Sequence, residues 1–306
     1  MQSEVIICLD IGGTNCRVGI VDAGCVLVDS SIVSTQDLAK GGFMEQLIRL
    51  LRTYRKKSKD RYAVRAVSIG FPATVDKSRR RVLQAPNIPG LGENLPVCDI
   101  LEEALGIPVF LERDVNLLLA HDLQDLKLEN ADTVIGIYFG TGIGNSICIG
   151  GRFHTGRNGV AGELGHIPQL HADCPCGCGN TGCLEPLGGG NMLSRLCAEV
   201  FPGTDIKEIY LRHGDTPQVR RQVEAMAAAV ATEVNILDPD YVVLGGGLLQ
   251  MQGFPLAYFE QQVRAHTRRP YPLENLRLVY AIARQENGIL GAGILGWKRL
   301  CAKECL

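Results

Sequence analysis

Two features common in other protein classes are missing from this chain: a long apolar run and an excess of charge of one sign. No stretch approaches the roughly 18 consecutive apolar residues of a membrane-spanning helix. The net charge of −2 gives no general attraction to nucleic acid or to an anionic membrane. The first residues lack the basic stretch of a secretory signal, and the apolar run from Val5 ends at Asp10. We therefore expect a cytoplasmic protein with neither membrane nor nucleic-acid partners.

Cysteine, in contrast, is abundant, with twelve residues in a chain of 306. Eight are scattered, mostly in apolar stretches where a thiol behaves as a small buried hydrophobe: Cys8, Cys16, Cys25, Cys98, Cys148, Cys197, Cys301 and Cys305. The other four lie between Cys174 and Cys183. In a reduced cytoplasm, a cluster of this kind serves to bind metal rather than to form disulfides.

Cys176, Cys178 and Cys183 follow a C-x-C-x4-C spacing, with glycines between them that let a short segment wrap an ion. Three thiolates and one imidazole form the closed tetrahedral site typical of structural zinc. His166, ten positions before Cys176, is the natural fourth ligand. The spacing leaves two further candidates open: His171 and Cys174. The sequence thus predicts a structural Zn²⁺ site, the alternative being incidental cysteines in a loop.

One pattern occurs twice in the chain. Residues 5–22 predict a buried strand, a glycine turn and a second strand, and residues 133–150 repeat this order. A further strand, Val26 to Val33, extends the first copy. A repeat with so long a period is a duplicated unit rather than a solenoid. We therefore expect two similar lobes, each opening with a hairpin aimed at a shared cleft.

Helices and strands alternate through the rest of the chain, which predicts an α/β fold. The expected helices are 43–57, 97–105, 115–126, 191–200, 219–236 and 289–300, and the expected strands are 66–70, 109–111 and 241–244. We expect a small lobe of residues 1–114, completed by the C-terminal helix at about 289–306. A large lobe of residues 115–288 contains the zinc loop 163–185. Two basic stretches, Arg52 to Arg61 and Arg79 to Arg81, are expected to be a solvated helix end and a solvated turn.

Glycine turns follow three of the buried strands: Asp10-Ile-Gly12-Gly13-Thr14, Gly140-Thr141-Gly142-Ile-Gly144 and Gly245-Gly246-Gly247. Such turns expose backbone N–H groups that can cradle phosphate, and the Asp10 carboxylate can hold Mg²⁺ directly or through water. A hairpin explains any one of these turns equally well, but three together predict nucleotide binding. The spacing matches neither a Walker A motif nor a dinucleotide fingerprint.

Asp114 follows a predicted strand directly and begins a predicted helix, where the helix dipole favours an ionised carboxylate. It is either a helix N-cap or a base that accepts a proton from a substrate hydroxyl during phosphoryl transfer. Glu163 and Glu185 flank the cysteine loop. A rigid metal loop is a good support for carboxylates that accept hydrogen bonds from sugar hydroxyls.

In chain order, four motifs match those of the ROK sugar kinases: Asp10-x-Gly-x-Thr14, Gly140-Thr-Gly-x-Gly144, Glu163-x-Gly-His166 and Cys176-x-Cys-Gly-x-x-Gly-Cys-x-Glu185. The resemblance runs from about residue 5 to residue 297. It implies a duplicated actin-like (RNase H-like) ATPase fold, with two lobes around a nucleotide and sugar cleft, and ATP-dependent phosphorylation of a hexose, usually at its 6-hydroxyl. It makes Asp114 the base and surrounds the sugar with Asn87, Glu163, His166 and Glu185, so that His166 both binds zinc and touches substrate.

The chain departs from most relatives at three places. Arg113 replaces an asparagine that normally contacts the sugar, Ala73 replaces a glycine after Pro72, and Leu91 stands where a tryptophan is usual. Three segments instead look like the allose kinase branch of the family: Phe71-Pro-Ala73, Arg113-Asp-Val-Asn116 and Gly162-Glu-Leu-Gly-His-Ile-Pro168. A planar, permanently charged guanidinium in place of an amide should change which sugar hydroxyls are recognised.

The leading hypothesis is therefore phosphorylation of D-allose to its 6-phosphate, with glucose or another hexose or N-acylhexosamine as the alternative substrate. Relatives that carry a winged-helix extension are sugar-responsive repressors, and that domain precedes the first motif. Here this motif begins at Asp10, so we expect an enzyme rather than a regulator. We expect it to bind a hexose, ATP, Mg²⁺ and Zn²⁺, and to form a homodimer.

Overall fold

The computed structural model describes residues 2–88, 90–170 and 172–304. His171 and Cys305, which the sequence analysis considered, lie outside the described residues. The strands are β1 (Ser3–Ile11), β2 (Asn15–Asp22), β3 (Leu27–Ser34), β4 (Tyr62–Phe71), β5 (Thr74–Val75), β6 (Val82–Gln84), β7 (Val109–Arg113), β8 (Thr133–Phe139), β9 (Ile143–Ile149), β10 (Arg152–Phe153), β11 (Tyr241–Gly245) and β12 (Leu278–Tyr280). The α-helices are α1 (Thr35–Ala39), α2 (Phe43–Ser58), α3 (Val97–Leu105), α4 (Asp114–Asp125), α5 (Glu185–Gly188), α6 (Gly190–Glu199), α7 (Ile209–His213), α8 (Pro217–Leu237), α9 (Leu256–His266) and α10 (Asn287–Glu304).

The chain forms two compact units. Unit 1 contains Met1–Lys127, Thr155–Ala161 and Arg284–Leu306, and unit 2 contains Leu128–His154 and Gly162–Ala283. The division therefore follows α4, whereas the sequence placed it near Asp114. Helix α4 belongs to unit 1 because it packs against α10.

The two units share one sheet topology. Unit 1 has the strand order β3-β2-β1-β4-β7, and unit 2 has the order β10-β9-β8-β11-β12. In each sheet the first three strands are antiparallel neighbours and the last two continue in parallel. This repetition confirms the predicted α/β class and its duplication.

The core of unit 1 surrounds β1, which is buried on both faces. Helix α2 places Phe43, Leu47 and Leu51 on one face at helical spacing, and each is buried to 1% exposure or less. Burying a side chain of this size contributes roughly 1.5–3 kcal/mol. On the other face, α10 approaches α4 so closely that a Cβ at Gly291 would lie 1.9 Å from the carbonyl oxygen of Leu117.

The core of unit 2 is built on α8. Pro217 occupies the first turn, where its missing N–H costs nothing, and Asp238 ends the helix in a left-handed conformation with a φ of 45°. Between these ends, fully buried apolar residues recur every three or four positions, at Val219, Val223, Met226, Val230 and Val234. Among the described residues, no helix has both the length and the apolarity needed to cross a membrane.

Candidate active site and metal centre

Asp114 lies at the carboxyl edge of the unit 1 sheet. Parallel strands β1, β4 and β7 bring Asp10, Gly70 and Glu112 into register, one strand apart. Asp114 is the first residue of α4, and its Oδ1 accepts the N–H of Val115 at 2.8 Å. A Cβ at Gly70 would lie 2.2 Å from Leu117 Cδ1, so glycine permits α4 to sit this close to the sheet. The carboxyl edge is where open α/β sheets bind ligands.

Burial and the charge of Asp10 raise the pKa of Asp114 to about 7. Burial also raises the pKa of Asp10, against the opposing effect of the Arg17 guanidinium 3.7 Å away. The protein therefore supplies too little positive charge near these two carboxyls to offset the effect of burial on their pKa values. A divalent cation at Asp10 fits this arrangement, since it would reduce the repulsion that Asp114 experiences.

The first glycine turn is a tight hairpin fixed by α1. The N–H of Gly12 bonds the carbonyl of Asn15 at 2.8 Å, and the Thr35 hydroxyl donates to the carbonyl of Gly12 at 2.7 Å. The predicted site residues Gly13 and Thr14 are exposed at its tip. Asn87 lies against this turn, because its carbonyl oxygen would be 3.4 Å from a Cβ at Gly13.

Arg113 holds the segment Thr155–Ala161 against the sheet of unit 1. It is 8% exposed, and its Nη1 donates to the carbonyl of Ala161 at 2.5 Å. Arg79 donates to the carbonyl of Gly159 in the same segment at 2.8 Å. The sequence analysis expected Arg79 to be solvated in a turn. That expectation was wrong, because the Arg79 side chain is 9% exposed and lies 3.2 Å from Glu112.

Glu112 connects these groups and was missed by the sequence analysis. Its Oε1 accepts the N–H of Arg113 and the amide of Asn116, at 3.0 and 2.9 Å. Its Oε2 accepts from Arg299 in α10. The position of Glu112, two residues before Asp114, could have revealed it, because a strand residue there lies beside the edge of the sheet that carries Asp114. The Glu112 side chain is 3% exposed, and the ion pairs with Arg79 and Arg299 offset the free-energy cost of burying its charge.

In unit 2, Glu185 joins the second glycine turn to the metal-binding segment. Its Oε2 accepts the N–H of Ile143 at 2.9 Å. A Cβ at Gly142 would lie 2.2 Å from the same oxygen, so a larger residue here would displace the Glu185 carboxylate. The N–H groups of Gly190 and Asn191, which begin α6, donate to the carbonyls of Gly140 and Thr141. The turn is therefore held rigidly from both sides, with Thr141 exposed at its tip.

The third glycine turn has a packing explanation at two of its positions. A Cβ at Gly245 would lie 2.8 Å from the Tyr138 ring, and one at Gly246 would lie 2.3 Å from the carbonyl oxygen of Phe139. Gly246 also has a φ of 97°, which disfavours any other residue. At Gly247 nothing lies within 4 Å, so this residue alone leaves space for a ligand.

The predicted zinc ligands converge. One donor atom from each of His166, Cys176, Cys178 and Cys183 lies within 4.8 Å of every other. His166 Nδ1 is 3.5 Å from Cys176 Sγ, and the Sγ atoms of Cys178 and Cys183 are 3.7 Å apart. Two sulfurs bound tetrahedrally at 2.3 Å from one zinc ion are about 3.8 Å apart. The residues therefore fit Zn²⁺, which would fix this loop.

Local backbone geometry holds these ligands in place. Gly182 has a φ of 81°, and a Cβ there would lie 2.7 Å from the carbonyl oxygen of Ala172. The N–H of Asn180 lowers the pKa of Cys178, whereas burial raises the pKa of Cys176 and takes that of Cys183 to about 12. A bound cation displaces the thiol protons, so metal binding here releases protons.

The remaining candidates near the cysteine loop, Cys174 and Glu163, differ in their relation to the four donor residues. Cys174 contributes its carbonyl to a bond with Gly182 and does not belong to the group of four donor residues. The second ring nitrogen of His166, Nε2, lies 3.5 Å from Glu163 Oε2. A carboxylate in this position orients a metal-binding imidazole. Glu163 is therefore linked to the metal centre as well as being a candidate to bind the sugar.

Comparison with known proteins gives matches over nearly the whole chain. Residues 6–299 match the ROK family. The chain is 30% identical to the glucokinase of Thermotoga maritima, covering 81% of this chain and 83% of the relative. It is 29% identical to the N-acetyl-D-glucosamine kinase of Yersinia pseudotuberculosis serotype O:1b, covering 94% and 97%.

A solved structure extends the similarity to three dimensions. The ROK family glucokinase from Streptomyces griseus, crystallised with glucose and AMPPNP, superposes with a TM-score of 0.76 at 27% identity. The match covers 95% of this chain and 98% of that one. The fold class is accordingly the actin-like ATPase fold of these kinases. This chain belongs to the ROK family and is an ATP-dependent sugar kinase.

Proposed function

We propose that the enzyme transfers the γ-phosphoryl group of ATP to the 6-hydroxyl of a hexose, and that its preferred hexose is D-allose. The transfer to a hexose is supported by the relatives, which are named glucokinase and N-acetyl-D-glucosamine kinase. The preference for allose is supported by one observation. A buried guanidinium, Arg113, directly precedes the proposed base Asp114.

In this proposal, the oxygen of the sugar 6-hydroxyl attacks the γ-phosphorus, and the bond between the γ-phosphorus and the β-phosphate oxygen breaks. Asp114 accepts the proton of that hydroxyl. A pKa of about 7 suits a base that works near neutral pH. Asn87, Arg113, Glu163, His166 and Glu185, which the family resemblance assigns to the sugar, bind its other hydroxyls. The nucleotide is bound by the three glycine turns: by the exposed tips at Gly13–Thr14 and Thr141, by Gly144, and by the third turn up to Gly247. Mg²⁺ at Asp10 neutralises phosphate charge, and Zn²⁺ fixes the cysteine loop.

Allose and glucose differ only in the orientation of the 3-hydroxyl. A site discriminates strongly between such epimers when the wrong one leaves a buried polar group without a partner. Arg113 Nη1 donates to the carbonyl of Ala161 at 2.5 Å, which fixes the position of the guanidinium. A fixed cationic donor can recognise one hydroxyl orientation, whereas a mobile one cannot.

The test is an ADP-release assay with allose, glucose, mannose, fructose and N-acetylmannosamine, run on the wild type and on Arg113→Asn. We expect the wild type to prefer allose. We expect the variant to shift the kcat/KM ratio of glucose to allose about tenfold toward glucose, which corresponds to roughly 1.4 kcal/mol. Arg157→Asn is the matched control, because Arg157 is exposed in the segment that Arg113 holds.

Two outcomes would contradict the proposal. A wild type that prefers glucose removes allose and leaves a glucokinase. If Arg113→Asn lowers kcat/KM equally for all five sugars, the arginine only anchors its segment.

We also propose a cytoplasmic homodimer as the working form, which sedimentation analysis and cell fractionation can test. A gel-shift assay at physiological salt tests the remote alternative of a DNA-binding regulator, and sequence-specific, sub-micromolar binding would support that alternative.

A further inference from the structure

A cavity of about 460 Å³ lies in unit 1 beside the C-terminal half of α2, at residues to which the proposed reaction gives no role. Four of its lining residues are cationic: Arg52, Arg55, Lys56 and Lys59. Gln2, Tyr62 and Val64 complete the wall. The sequence analysis expected this basic stretch to be a solvated helix end. The four cationic residues are exposed, as expected, and they also line a concave surface.

The positive charges of this cavity are not neutralised by the protein. Within the described part of the chain, none of the four cationic side chains has a carboxylate oxygen within 4.0 Å. Asp60, which follows Lys59 directly in the sequence, does not line the cavity. Four like charges around one small cavity repel one another, so an anion bound there gains from all of them.

The two arginines are fixed in position. Arg52 Nη2 donates to the carbonyl of Ala104 at 3.1 Å, and Arg55 Nη1 donates to the carbonyl of Leu105. Both acceptors lie at the C-terminal end of α3. Each guanidinium has five N–H donors, so one bond leaves most of its capacity for a ligand. Fixed guanidiniums also lose less side-chain entropy when they bind an anion than mobile side chains do.

Stabilisation of the helix end does not account for the cavity. Cations in the last turn of α2 complement the helix dipole, and Arg55, Lys56 and Lys57 occupy that turn. Lys57, however, does not line the cavity, and Lys59 lies beyond the helix. Gln2 donates to the carbonyl of Lys59 at 2.8 Å and so ties the start of β1 to this wall. The helix dipole requires neither of these features.

We propose that this cavity binds a small phosphorylated molecule with at least two negative charges. Arginine forks and lysine ammonium groups are the usual ligands of phosphate oxygens. The half-buried side chains of Tyr62 and Val64 offer an apolar surface to the rest of the ligand. The volume is that of a small-molecule site rather than of a membrane or nucleic-acid surface. This inference does not depend on which hexose the enzyme phosphorylates.

The test is calorimetric titration with inorganic pyrophosphate, on protein saturated with AMPPNP so that the nucleotide site is occupied. Lys56→Glu and Lys57→Glu form a matched pair, because both sites are exposed on the same helical turn and only Lys56 lines the cavity. We expect one saturable site in the wild type and in Lys57→Glu. In Lys56→Glu we expect the affinity to fall about tenfold or more, with ADP release unchanged.

Three results would overturn the proposal. One is the absence of saturable binding to the wild type at pyrophosphate concentrations up to about 10 mM. Another is an equal loss in the two variants, which would indicate diffuse attraction by the whole helix end. The third is co-sedimentation with phosphatidylserine vesicles that Lys56→Glu and Lys57→Glu weaken equally, together with weak pyrophosphate binding, which would make this face a membrane-binding surface.

Discussion

Asp114 is the proposed base, and its surroundings give its carboxyl the properties that this role requires. Three parallel strands and a glycine at position 70 place it beside Asp10, at the start of a helix. Burial and the neighbouring charge then raise its pKa to about 7. The same side chain at a solvated helix start would remain a weak base, because its pKa would stay near the ordinary value for a carboxyl.

Replacing Asp114 by asparagine should remove the base while keeping the shape of the site. We expect kcat to fall roughly 10²-fold or more, since a positioned base typically supplies 10²–10⁴. AMPPNP binding, measured by calorimetry, should stay near that of the wild type. Asp125→Asn, an exposed change in the same helix, is the control and should retain full turnover. Near-normal kcat in Asp114→Asn would remove this residue from the mechanism.

The raised pKa of Asp114 also makes a prediction about stability. The folded protein binds this proton more tightly than the unfolded chain, whose carboxyl has its ordinary pKa of 3.8. Stability from this group is therefore complete below pH 4 and is lost as the pH rises through about 7. Asparagine carries no charge, so Asp114→Asn should raise the unfolding midpoint more at pH 8 than at pH 5. A shift of about 2–4 °C corresponds to each kcal/mol.

The measurement is thermal unfolding of the Mg²⁺-free protein at the two pH values, so that no cation neutralises the pair of carboxyls. Asp125→Asn should shift the midpoint equally at both. The prediction fails if Asp114→Asn does the same.

At the scale of elements, the cysteine loop carries three of the four residues of the proposed zinc site. Cys178→Ser should lose zinc, measured by plasma emission spectrometry, and should lower the unfolding midpoint. Structural zinc contributes on the order of 10 kcal/mol to the stability of small domains. Unit 2 is larger and also has an apolar core, so its stability depends less on the ion. Cys174→Ser is the matched control in the same loop and should keep its zinc, because Cys174 is outside the group of donor residues. An active Cys178→Ser enzyme without zinc would show that the ion is dispensable.

The elements that the sequence predicted are those with strong local signals. The segments 97–105 and 219–236 have apolar residues at helical spacing, and the structure has helices at Val97–Leu105 and Pro217–Leu237. The helix Leu256–His266 was missed, because only Phe259 and Val263 are buried and its other face is polar. Strand Leu278–Tyr280 has three residues, too few for a pattern to appear, and exists because it pairs with β11.

The same limit applies to the candidate site. Asp114 and the four zinc donors stand in recognisable motifs, so their types and spacing suffice to predict them. Arg79 and Glu112 do not, because their roles depend on contacts across 33 positions of the chain that only the fold creates. A run of three arginines looks solvated in sequence. The side chain of its first member, Arg79, is instead only 9% exposed and lies 3.2 Å from Glu112.

At the scale of the whole molecule, the end of the chain completes the first unit. Helix α10 packs on α4 and β1, although more than 160 residues separate α4 from α10. Arg299 in this helix donates to the carbonyl of Leu111 at 2.8 Å and forms an ion pair with Glu112. The contact between Arg299 and β7, beside Asp114, can therefore form only after unit 2 has been synthesised.

Breaking this contact should cost more than breaking an ion pair on the surface. Arg299→Gln leaves Glu112 with Arg79 and Asn116, so we expect a loss of about 2 kcal/mol, below the 3–5 of a fully isolated buried charge. Glu112→Gln should cost more, because it leaves both Arg79 and Arg299 without the carboxylate that they share. Arg212→Gln is the control, since its partner Glu208 is solvated, and should cost less than about 1 kcal/mol. Urea unfolding of the zinc-loaded protein measures all three. Equal losses in Arg299→Gln and Arg212→Gln would mean that apolar packing alone holds α10 against the sheet.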